Sequence, residues 1–123
     1  MDGIYSIDTD NSGNIFAGGY TSSTSAIATV GSHQPSNAGD DDNFLVKFNS
    51  SGVRLWGTYY GGTLGDYFPI CATDSIGNVY LTGYSQYTGS SSGLSTTAAH
   101  QTSSGGLADC ILVKFRTAFF VLL

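Results

Sequence analysis

The sequence contains itself twice. "DNSGNIFAGGYTS" at 10–22 lies over "DSIGNVYLTGYSQ" at 74–86 with a shift of 64, and "GSHQPSNAGDDDNFLVKF" at 31–48 lies over "AAHQTSSGGLADCILVKF" at 98–115 with a shift of 67. Three residues are therefore inserted in the loop between the two matches, where insertions are tolerated. One unit is about 65 residues long. A unit repeated at this period is a supersecondary element that cannot bury its apolar surface alone, so it must stack on a neighbour. Seventeen Gly, eight Tyr, seven Phe and only two Pro make that element a set of short strands joined by turns rather than helices.

The turns are written twice as well. "DTDNSGN" at 8–14 has the alternating oxygen donors of the first half of a calcium loop, with Asp8, Asp10, Ser12 and then Gly13. The rest of such a loop is missing: its closing Glu position holds Gly19, and the chain has no Glu. The second copy, "ATDSIGN" at 72–78, keeps only Asp, two variable residues, Gly and Asn. That is the specification of a tight turn, with the Asp carboxylate accepting a backbone N–H two residues on and Gly taking a positive φ. Asn49-Ser50-Ser51-Gly52 repeats the pattern with Asn in the place of Asp. Ala72 in the place of Asp8 predicts that Asp8 is dispensable.

Each unit reads as four strands. The first lies around 4–9 and 69–73, the second at 14–21 and 78–85, and the third is "NFLVKF" or "CILVKF". The fourth is "VRLWGTYY" at 53–60, after which "GGTLGD" leads into the next unit. In the third strand Phe44, Val46 and Phe48 point one way and Leu45 the other, so both faces must be covered. Short antiparallel strands that are apolar on both faces predict an all-β chain of two β-propeller-type blades, 1–62 and 63–123, with four strands each. A β-sandwich would leave one face of each sheet polar.

The ordered motifs, "D…GN[IV][FY]xxGY[TS]", "HQ…G", "[FI]LVKF" and "NSSGVRLWGTYYGG", resemble those of the bacterial β-propeller repeat family known as SBBP. The resemblance covers about one and three-quarter repeats. It implies a piece of a seven-bladed propeller from a secreted or cell-surface protein, with no catalytic residue in the motif. Two features depart from the family pattern. His33 and His100 stand where such repeats often carry an aromatic, and "RTAFFVLL" at 116–123 replaces the expected turn and Trp/Tyr strand. On this reading the partners are further blades, or other copies meeting through uncovered blade faces.

Several residues invite chemistry. His33 and His100 occupy equivalent places and each precedes a Gln, so the expectation is a shared task in anchoring the long loop. Of Asp40, Asp41 and Asp42 only the last has a counterpart, Asp109, which predicts a role for Asp42 in the unit and solvation of the other two. Trp56, Tyr59, Tyr60, Tyr67, Tyr84 and Tyr87 suit either a carbohydrate-stacking surface or a core between blades. Asn49-Ser50-Ser51 is formally a glycosylation sequon within a turn. Cys71 and Cys110, on the first and third strands of one unit, would be roughly 9–10 Å apart at ~4.8 Å per strand, too far for a disulfide, so both are predicted free. Nothing assembles into a nucleophile with its base, and no Cys or His spacing fits zinc. No catalytic residue, cofactor or metal is predicted.

A net charge of −5 with four basic residues offers no stripe for phosphates, so no nucleic-acid partner is expected. "MDGIYSID" lacks the pattern of a signal peptide, and "FFVLL" at 119–123 is too short to span a bilayer. Three functions remain open: a non-catalytic extracellular scaffold or adhesion module, a ligand- or glycan-binding propeller using loops 22–42 and 86–108, and part of an enzyme completed by other blades.

Overall fold

The computed structural model describes residues 1–86 and 94–116. These form two antiparallel sheets. Sheet one is β1 (Asp2–Thr9), β2 (Ile15–Thr21), β3 (Asp42–Phe48) and β4 (Arg54–Tyr60) in sequence order. Sheet two is β5 (Asp66–Thr73), β6 (Asn78–Gln86) and β7 (Ala108–Arg116), again in sequence order. The chain is all-β, and no helix occurs among the described residues, so none there is long and apolar enough to cross a membrane. The expected fourth strand of the second unit lies outside the described residues, as does Tyr87.

The repeat in the sequence is a repeat in register. Ile7 pairs with Ala17, and Cys71 with Leu81; Ala17 pairs with Val46, and Leu81 with Val113. Both first strands shift register at the same place, between Ile4 and Ser6 and between Tyr67 and Ile70. A one-residue slip would turn every apolar side chain to the wrong face, so a shared register means a shared pattern of faces.

The turns explain why the strands begin where they do. Asp10 Oδ1 accepts the N–H groups of Ser12 and Asn14, both at 2.9 Å, and Asn14 Nδ2 donates to Oδ2 at 2.9 Å. Asp74 does the same with Ile76, Asn78 N and Asn78 Nδ2, and these bonds hold its carboxyl below the ordinary range. Asn49 accepts from Ser51 and Val53 at 2.9 Å. Gly13, Gly52 and Gly77 close these turns at φ of 78°, 79° and 91°, where a Cβ is strained. Both oxygens of Asp10 are thus engaged within the turn itself.

The sheets stack face to face, with β5 against β1, β2 and β3. The front face of sheet one, carrying Ser6, Asp8, Phe16, Leu45 and Tyr60, meets the rear face of sheet two, carrying Cys71, Thr73, Val79, Leu81, Val113 and Phe115. Leu45, Val79 and Leu81 are completely buried there. The rear face of sheet one is also partly covered. The loop after β2 folds back so that Ile27 packs on Ala17, Phe44 and Val46. Tyr59 fastens that loop through a hydrogen bond from its hydroxyl to Ser23 O at 2.9 Å. On this side of sheet one, the chain's own loop supplies part of the cover that a neighbouring unit would otherwise give.

Asp8 overturns one expectation. Its carboxylate crosses to sheet two and accepts from Thr73 N at 2.6 Å and Thr73 Oγ1 at 3.0 Å, and the backbone bond from Thr73 draws its pKa down. Ala72 is its counterpart in sequence but lies on the front face of sheet two, where no described third sheet supplies a Thr. Asp8 is therefore an inter-sheet tie, and its removal leaves the Thr73 N–H without its acceptor.

Equivalent residues should thus differ in energetic weight. Leu45→Ala removes a fully buried side chain and should destabilise by about 2–5 kcal/mol. Leu112→Ala, at the same place in the second unit but 75% exposed, should stay within about 0.5 kcal/mol in the monomeric chain. Urea unfolding at low protein concentration reads both. Equal costs would contradict the stacking.

Candidate functional site

Two places concentrate polar and aromatic chemistry, and both lie where the long loop of the first unit meets the strands. The first is held by Gln34. Its main chain runs beside β4: Gln34 N donates to Thr58 Oγ1 at 2.9 Å, and its carbonyl accepts from Tyr59 N at 3.1 Å. Its side chain donates to Asp42 Oδ2 at 2.6 Å and to Ser36 O at 2.9 Å, and Oε1 accepts from Gly61 N at 3.0 Å. The loop anchor is the Gln of the repeated His-Gln pair. His33 itself is largely exposed, stacking on Tyr60 at 5.6 Å and meeting Phe115 edge-on at 6.0 Å. His100 is exposed, and the structure does not bring the two histidines together. Gln101 repeats one bond of Gln34, from Nε2 to Ser103 O at 2.8 Å.

Asp42 performs the unit's task that its counterpart Asp109 predicted. Asp42 Oδ2 accepts from Ala38 N at 3.0 Å, and Asp109 Oδ2 from Gly105 N at 2.6 Å, each from four residues upstream. Asp40 is exposed, whereas Asp41 is not merely solvated, because its Oδ2 accepts from the Tyr67 hydroxyl at 3.2 Å.

Asp66, at the start of β5, was not singled out by the sequence. It and Asp42 are both fully buried, on either side of Gly61. A Cβ at position 61 would stand 2.6 Å from Asp42 Cγ and 2.6 Å from Asp66 Oδ2, so only glycine lets the two carboxyls approach. Asp66 Oδ2 accepts from Gly62 N at 2.8 Å, while Asp42 Oδ1 and Asp66 Oδ1 have no protein partner. Burial pushes Asp66 up to about 6, opposed by Ser85 and the Gly62 N–H and reinforced by the Asp42 carboxylate; burial raises Asp42 too. This pair is sealed from solvent, so it fastens the junction between the units and has no access to a substrate. Only the Gly-x-x-x-x-Asp spacing of "GGTLGD" hinted at it.

The second place is open. A cavity of about 480 Å³ lies between the loop and the ends of β4 and β7, walled by His33, Leu55, Trp56, Phe115 and Arg116, with Thr29, Ser32 and Thr58 among its polar groups. Trp56 and Phe115 rings stand 6.3 Å apart, and Phe115 meets Tyr60 edge-on at 6.0 Å. A second cavity, of about 650 Å³, lies under the described part of the other loop, beside His100, Gln101, Asp109 and Lys114. The aromatics thus divide: Tyr59 and Tyr60 are core, Trp56 is half-buried at the cavity, and Tyr67 and Tyr84 are half-buried near the sheet ends. Cys71 is buried beside Ser6, Cys110 is exposed, and both are free thiols. No group of three His, Cys, Asp or Glu side chains suited to a metal occurs among the described residues.

Neither a family model nor a curated protein matches the sequence.

The Asp42–Asp66 pair gives a pH dependence of known sign. The folded Asp66 value of about 6 lies above the ordinary 3.8, so the fold favours its protonated form. That contribution is fully present below about pH 3.8 and is lost as pH rises through about 6. Asp66→Asn keeps an acceptor for Gly62 N and removes the charge. It should raise stability at pH 7 and flatten the stability profile between about pH 4 and 7. Denaturant midpoints measured across that range check it; an unchanged slope would contradict the burial of an ionisable Asp66.

Proposed function

We propose that this chain is a non-catalytic repeat module of the β-propeller type, serving as a scaffold or adhesion element, in line with the resemblance of its motifs to SBBP repeats. One observation carries the reading: two units of equal register stack front to rear, so that one unit continues the other rather than mirroring it. A propeller is built by repeating that step around an axis. The carboxyl pair at the junction is buried, and the histidines lie apart; no described arrangement supplies a nucleophile, base and orienting group. The extracellular setting rests on the family resemblance alone.

A second reading has one observation behind it, the cavity at Trp56 and Arg116. An indole face suits the C–H face of a sugar ring, and a guanidinium with nearby hydroxyls suits its polar or acidic substituents. A glycan array, with Arg116→Ala as control, would favour glycan binding if a signal appeared and was lost in the variant. Enzymatic activity completed by other blades has no observation in its favour.

The repeat reading is tested by completing the second sheet. A chain in which a second copy of Asn49–Tyr60 replaces residues 116–123 should add a fourth strand to β7, as β4 adds to β3. Its melting temperature should rise by about 4–8 °C for each kcal/mol gained. A lowered melting temperature, or a separate transition for the grafted unit, would count against the reading.

A further inference from the structure

We propose that the front face of sheet two is a docking surface for the rear face of sheet one in a second copy of this chain, so that copies add head to tail. The proposal rests on the repeat reading above and goes beyond it, because it names the partner and the residues that meet.

The interface inside the chain is the template. Shifting each of its contacts by one unit gives the contacts between copies. Within the chain, Ser6 of the front face meets Cys71 of the rear face: Cys71 N donates to Ser6 Oγ at 2.8 Å, and Sγ lies 3.3 Å from the same oxygen. One unit later Ser6 becomes Ile70, and one unit earlier Cys71 becomes Ile7. Those two isoleucines are 58% and 68% exposed, each on the face the template assigns to it. A polar contact inside the chain is thus replaced by a matched pair of uncovered apolar side chains at its two ends.

Other positions agree. Leu112 stands where Leu45 stands, and Tyr80 where Phe16 does. Lys114 lies over the Tyr80 ring at 5.8 Å, just as Lys47 lies over Phe16 at 5.3 Å. Asn43 is fully buried with its amide against Gly83, and the corresponding pair between copies is the exposed Cys110 against Gly19. The tie from Asp8 to Thr73 has no equivalent, since Ala72 would face Thr9.

The loop over the rear face of sheet one does not block this arrangement. Ile27 packs there as Leu94 packs on the rear face of sheet two. In the internal interface Tyr60 docks on that very residue, its hydroxyl bonded to Leu94 O. The loop is part of the surface that receives the partner. Because front meets rear, the contact is heterologous, and copies extend into open chains or closed rings rather than stopping at a symmetric pair.

Sedimentation velocity on the wild-type chain, across micromolar concentrations, should show a sedimentation coefficient that climbs with concentration. Alkylation of Cys110 should slow over the same range, as its thiol takes the buried place of Asn43. Ile70→Asp spoils only the front face and Ile7→Asp only the rear, and both sites are exposed enough to leave each monomer folded, which near-ultraviolet circular dichroism checks. Each variant alone should stay monomeric, and an equimolar mixture should stop at a dimer built from the two intact faces. Leu112→Ser should act like Ile70→Asp from a different strand. A wild-type chain that stays monomeric with concentration-independent alkylation overturns the proposal, as does either single variant dimerising alone. If the grafted fourth strand still stabilises a monomeric chain, only the docking falls; if the graft destabilises, the repeat reading falls with it.

Discussion

Strands that are apolar on both sides cannot stand as a single layer in water. β3 shows the constraint most plainly, with Phe44 and Val46 buried on one face and Leu45 on the other. A single sheet hides one of those faces at most. Everything else in the molecule answers this requirement: the second unit covers Leu45, the long loop covers Phe44 and Val46, and the front face of sheet two keeps the same apolar character with nothing described against it. At ~25 cal/mol per Å² of apolar surface, covering one such face is worth several kcal/mol, a large part of the stability of a small domain.

Polar groups make the stacking directional. Apolar faces alone would allow front-to-front as well as front-to-rear packing. Ser6 to Cys71 and Asp8 to Thr73 fix which face meets which, because each tie uses a side chain from one unit and a backbone N–H from the next. At the strand ends, Gln34, Asp42 and Asp66 converge around Gly61 and set the path of the connection between sheets. Burial favours the protonated form of both carboxyls, so this junction makes the stability of the fold depend on pH.

The strands, their turns and the shared register were legible because they follow from local patterns: Asp-x-x-Gly-Asn fixes a turn by its own hydrogen bonds, and alternation fixes a face. What escaped was set by contacts across the units. Comparing Asp8 with Ala72 suggested dispensability, yet the weight of Asp8 comes from Thr73 on the facing sheet, a partner that no comparison within one unit reveals. His33 drew attention because histidine titrates, whereas the anchoring is done by the neutral Gln34, whose amide offers both a donor and an acceptor. Asp66 was hinted at only by its spacing from Gly61, since an Asp after a glycine-rich stretch reads first as a turn. The cavity beside Trp56 depends on where Phe115 arrives from the other unit, which no single-unit pattern encodes.

The central claim is that the two units stack front to rear, in the sense that a continuing repeat requires. Methyl nuclear Overhauser spectroscopy on the monomeric chain tests it most directly. The account predicts cross-peaks linking the Leu45 methyls to those of Val79 and Leu81, and none linking Leu45 to Leu112. Cross-peaks between Leu45 and Leu112 would mean that like faces meet, and would contradict it.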